Sequence, residues 1–183
     1  VGGIEGLGYG ESLGRFINDE EMKIPSINEL EDLIKSVPDD ELTSARVELL
    51  YAIKSGYAQE GLYKLRHNWR NSSALASAYR HKVPLTVHPG IGYDIISNHP
   101  MFNGAAIGRA AQVDFQKFAS SVDNLDGGVV LSVGSAIMGP QVFEKALSFA
   151  NHLRLNAGGK VVSGHSIFVI DLQDGGGWDW SQG

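Results

Sequence analysis

Apolar positions in the first half of the chain recur at helical intervals. Leu30, Leu33, Ile34 and Val37 form one stripe, opened by Ser26-Ile27-Asn28-Glu29 in capping-box spacing and stopped by Pro38. Leu42, Ala45, Leu49 and Ile53 form the next stripe, which ends near Gly56. Stretches around Leu62–Trp69 and Ala74–Tyr79 also read as helical. The second half alternates instead. Pro84-Leu85-Thr86-Val87-His88 has the look of a short strand, Gly128–Val133 reads as a buried strand, and Ser166–Leu172 as a third strand. Between them, Ile107, Ala111, Phe115, Phe118 and Val122 mark one helix face. Val142, Phe143, Ala146, Ala150 and Leu153 mark another, with Pro140 in its first turn.

Strand, helix, strand, helix, strand predicts parallel pairing with helical crossovers. The expected fold class is therefore α/β, a Rossmann-like parallel sheet with helices on both faces. Residues 1–183 are expected to form a single domain, with 1–82 mostly helical and 83–183 alternating. The opening Val1-Gly2-Gly3-Ile4 reads as a strand end entering a turn, and the final glycine-rich stretch stops inside a loop. Both suggest a piece of a longer chain.

Composition narrows the function. Fifteen basic and 21 acidic residues leave a formal charge of −6, which argues against nucleic acid or an anionic membrane as partner. No apolar run approaches the roughly 18 residues of a membrane span. The chain has no cysteine, which removes disulfides, thiolate metal sites and a cysteine nucleophile and suits a cytoplasmic protein.

In parallel sheets, ligands sit beyond the carboxyl ends of the strands. Three loops are expected there: His88–Asp94, Gly134–Pro140, and Gln173-Asp174-Gly175 onward. Gly134–Pro140 is the best anion candidate, because glycine admits a phosphate and the next helix offers N–H groups. Gly90-Ile91-Gly92 opens a dinucleotide fingerprint that fails at Ile95. His88, Asp94 and His99 have suitable metal donors but no compact metal spacing. Ser135 fails the nucleophile-elbow pattern, since Val133 stands where a glycine is required. Trp178 and Trp180 flank Asp179 and could stack on a flat ring or an ammonium group. Asp39-Asp40-Glu41 reads as an acidic helix start.

Several segments, in order, resemble deoxyhypusine synthase. Gly2-Gly3-Ile4-Glu5 is similar to that family's Gly-Gly-Ile/Val-Glu motif, and Asn71–Leu85 to its serine- and tyrosine-bearing helix and following strand. Pro89–Asp94 takes the place of a Pro-Gly-Leu-Thr-Asp-like loop, Val130–Ala136 that of a core strand and glycine-rich loop, and Phe168-Val169-Ile170 that of the next strand. The resemblance implies NAD as cofactor, a homotetramer of paired dimers, and transfer of an aminobutyl group from a polyamine through a lysine imine. It places Gly2, Gly3, Glu5, Gly134 and Ser135 at the cofactor. Asp94, Asp174 and Trp178 fall at the amine substrate, with His88 as general base. The chain departs from the family pattern at Gly6, where a second glutamate is expected. It also has Gln141-Val142-Phe143 where paired histidines are expected, and no lysine after Lys160. A divergent member is therefore expected. The alternatives are a non-catalytic oligomeric nucleotide-binding protein, or a metal-dependent hydrolase using His88, Asp94 and His99.

Overall fold

A computed structural model describes residues 1–135 and 137–172. They divide into two compact units, one from Val1 to Lys117 and one from Phe118 onward. The chain is mixed α/β, with two sheets of two strands each among the described residues.

The first unit opens on a 3₁₀ turn, Gly2–Glu5, rather than a strand end. Helix α1 (Tyr9–Asp19) ends at Glu20, whose φ of 57° is left-handed. Its carboxylate accepts the His67 N–H at 2.9 Å and pairs with Arg70 at 3.3 Å, which ties the end of α1 to a distant loop. Strand β1 (Glu21–Ile24) follows, then α2 (Ile27–Ser36) and α3 (Thr43–Lys54). Strand β2 (Gly61–Lys64) pairs antiparallel with β1, Glu21 opposite Lys64 and Ile24 opposite Gly61. The helix expected around Leu62–Trp69 is therefore absent; β2 occupies its start and a loop its remainder. Helix α4 (Ala74–His81) is N-capped by Ser73, whose hydroxyl accepts from Ala76 N. The long helix α5 (Gly104–Asp123) begins in this unit.

The capping box at α2 is realised on both sides. Ser26 Oγ accepts from Glu29 N at 3.2 Å, and Glu29 Oε2 accepts from Ser26 N at 2.7 Å. These bonds hold the Glu29 carboxyl below its usual range, the backbone bond from Ser26 contributing most. One turn into the helix, Leu30 is fully buried. Ser26→Ala removes the hydroxyl acceptor, and urea unfolding is expected to show a loss of about 1 kcal/mol.

The segment expected as a strand over Pro84–His88 belongs to no ladder among the described residues. A side chain holds it instead: Asp114, from the middle of α5, accepts Val87 N at 2.8 Å. The same oxygen accepts Gly10 N at 2.9 Å. This fully buried carboxylate thus fastens the start of α1 to that segment. Glycine lets the backbones close in. A Cβ at Gly10 would land on the Leu85 carbonyl oxygen, and one at Gly14 would lie 2.6 Å from the Leu75 carbonyl oxygen of α4. The glycine cluster near the start of the chain is in large part a packing surface.

The second unit carries the parallel pairing expected from the sequence. Strand β3 (Val129–Val133), helix α6 (Met138–Asn156) and strand β4 (Ser166–Ile170) form a β–α–β unit, with Val129 opposite Ser166 and Val133 opposite Ile170. Pro140 lies in the first turn of α6, as its fixed φ favours. Arg154 of α6 pairs with Asp123 at 2.6 Å and Asp126 at 2.7 Å. That fixes the end of α6 against the turn before β3. β3 is not the buried strand expected: it alternates between exposed and half-buried, and β4 is exposed along its length. Parallel strands normally need layers on both faces. Two strands and one crossover helix cannot supply them.

Candidate functional site

The turn after β3 is built for close approach from outside. Gly134 has a φ of 65°, and a Cβ there would meet nothing within 4 Å. Gly134 N donates to Ile170 O at 2.8 Å, so the turn starts directly from the strand end. Ser135 Oγ accepts Gly139 N at 2.7 Å, satisfying one of the N–H groups that the first turn of α6 leaves unpaired. Ser132 Oγ donates to Ser135 O at 3.2 Å and steadies the loop. Of the expected cofactor residues, Gly134 and Ser135 therefore fit an anion at a strand end and helix start.

The other three cofactor candidates are less suited. A Cβ on Gly2 would collide with the Ser12 side chain, so this glycine is required by packing. Glu5 is ion-paired with Arg15. Gly3 has room, with a Cβ in ordinary contact distance of Arg109 and Ala45.

In the His88–Asp94 loop, His88 Nε2 lies 3.0 Å from Thr86 Oγ1. Partial burial lowers the His88 pKa below the ordinary imidazole value, while the Asp114 charge works in the opposite direction. Neutral imidazole is the form a general base requires. Asp94 folds back to accept Gly90 N, and its own N–H donates to Gly90 O at 3.0 Å. It is the lock of a tight turn, which qualifies it poorly as a substrate clamp. His99 Nδ1 accepts Met101 N at 3.1 Å. Among the described residues no group of three His, Asp or Glu side chains is placed to hold a metal ion, so His88, Asp94 and His99 are not brought together as the hydrolase alternative needs. Asp174 and Trp178 lie outside the described residues.

Two features are not evident from the sequence pattern. One is the role of Asp114. It falls three residues after Ala111 and four before Phe118, on the apolar face of α5. A carboxylate inside that stripe is the available signal. The other is a cavity of about 600 Å³ within the first unit, whose lining includes Val1, Glu48, Tyr57, Met101, Phe102 and Arg109.

Comparison with family models, characterised proteins and solved structures finds no match for the chain. Among the described residues, no helix is long and apolar enough to cross a membrane.

Proposed function

We propose that the chain is a divergent, deoxyhypusine-synthase-like protein that binds NAD, with the nucleotide's pyrophosphate on the loop between β3 and α6. One observation carries this reading: a parallel β–α–β unit whose first turn has a left-handed glycine with open space beside it and a serine at the helix start. The Ser135 hydroxyl accepts from Gly139 and still has a proton to give to a phosphate oxygen. Extension of the pair into a larger Rossmann-like sheet belongs to the same reading. The NAD would supply a hydride acceptor for a carbon bearing an amine. A cytoplasmic homotetramer acting on a polyamine-like amine follows from the resemblance alone.

A second reading has its own support. Asp94, expected at the amine substrate, is already engaged by Gly90. That favours a protein that kept the nucleotide and lost the transfer reaction.

Ser135→Asp separates binding from folding. Aspartate is as good an acceptor for a helix-start N–H as serine, so the melting temperature should hold. The added negative charge faces the pyrophosphate, and calorimetry should show NAD affinity reduced about tenfold or more. Unchanged affinity would remove the β3–α6 loop from the site.

A further inference from the structure

Asn103 is the only asparagine in the chain followed by glycine. It caps α5. Its Oδ1 accepts the Ala106 N–H at 2.9 Å, and its backbone oxygen accepts that of Ile107 at 3.1 Å. Asn103 and Gly104 are both exposed. An asparagine carboxamide carbon is open to attack by the backbone nitrogen of the next residue. A Cβ on that residue normally crowds the approach, and glycine has none. A Cβ built at Gly104 would lie in ordinary contact with the Phe102 ring, at 3.6 Å, so the surroundings leave the approach open.

The cap itself assists the attack. Amide groups in the first turn of a helix have no acceptor within it, so α5 does not tie down the Gly104 nitrogen. The Ala106 N–H draws electron density toward Oδ1, and it stabilises the negative charge that oxygen gains when the nitrogen adds. Ring closure disturbs the cap alone, and helix ends open at little cost.

We propose that Asn103-Gly104 is a self-modifying site, where the chain converts Asn103 to aspartate and isoaspartate using only water. The Gly104 nitrogen gives its proton to solvent base and bonds to Asn103 Cγ. The bond from Cγ to the carboxamide nitrogen breaks, and that nitrogen takes up a proton and leaves as ammonia. Water then opens the succinimide ring. Opening at Cγ gives aspartate with the backbone restored. Opening at the backbone carbonyl gives isoaspartate, with the chain running through Cγ. The two products act oppositely on α5. Aspartate keeps an acceptor for Ala106 and sets a negative charge at the positive end of the helix. Isoaspartate lengthens the backbone and draws the cap out of place. This site goes beyond the nucleotide reading and does not depend on it.

The test is incubation of the folded full chain in mildly alkaline buffer, followed by digestion and peptide mass mapping that resolves aspartate from isoaspartate. The expected result is conversion at Asn103 ahead of every other asparagine, with both products present. Gly104→Ala should slow that conversion by about tenfold or more. The added methyl meets Phe102 at an ordinary distance, so the variant is expected to fold. The map of the parent chain needs no variant and stands by itself. Conversion of another asparagine before Asn103 overturns the inference. So does an equal rate in Gly104→Ala.

Discussion

Asp114→Ala is expected to destabilise the chain by about 2–6 kcal/mol, since it strands two buried N–H groups at about 1–3 kcal/mol each. The donors are those of Gly10 and Val87, 2.9 and 2.8 Å from the same carboxylate oxygen. The segment around Val87 has no ladder partner among the described residues to take over its N–H. A loss of this size is a large part of the roughly 5–15 kcal/mol that holds a domain folded. Asp114→Asn should cost much less. The amide keeps one carbonyl oxygen for both donors, and its NH₂ takes the position of Oδ1, which has no partner in the acid. Urea unfolding of the two variants checks the ranking. An alanine variant within about 0.5 kcal/mol of the parent, the range of an ordinary surface substitution, would mean that Asp114 does not organise this region.

Gly10→Ala is expected to cost about 3 kcal/mol or more. In an exposed helix the same change would gain up to about 1 kcal/mol. Here the new methyl would land on the Leu85 carbonyl oxygen. Backbone cannot swing aside as a flexible side chain can, and Gly10 N is itself held by Asp114. Overpacking at such a point costs about 1–3 kcal/mol or more, and relief would also break the Asp114 bond. Gly108→Ala is the control. Gly108 lies within α5, with nothing within 4 Å of a Cβ. It should be neutral or stabilising by up to about 1 kcal/mol. Thermal and urea unfolding should therefore give opposite signs for two glycine-to-alanine changes in helices. Equal effects would contradict the close packing of α1 on the Leu85 segment.

The long periodic segments are legible in the sequence because side-chain pattern and capping chemistry agree there. Ser26 and Glu29 announce α2, the Ile107–Val122 stripe announces α5, and the Val129–Val133 and Ser166–Ile170 runs announce a parallel pair. The β1–β2 pair is not legible. Each strand has four residues, β2 is fully exposed, and its apolar Leu62 and Tyr63 suggest a helix as readily as a strand. Pro84–His88 misleads for a different reason. Its composition is that of a strand, but a helix-borne carboxylate holds it in place of a neighbouring strand. At the candidate site, the Gly134-Ser135 turn is visible as glycine before a helix. The Gly2-Gly3 motif looks equally suited to a phosphate, yet Gly2 serves to clear Ser12. Glycine required for packing and glycine required for a ligand look alike in sequence. What separates them is the atom a Cβ would meet.

The most direct measurement is a thermal-shift titration of the full chain with NAD and NADH, beside AMP and buffer. A ligand that binds only the folded state raises the melting temperature by mass action. A saturable rise is expected with the dinucleotide, greater than with AMP, and lost in Ser135→Asp. No rise with either dinucleotide, in protein whose ultraviolet absorbance after denaturation shows no released nucleotide, would contradict it.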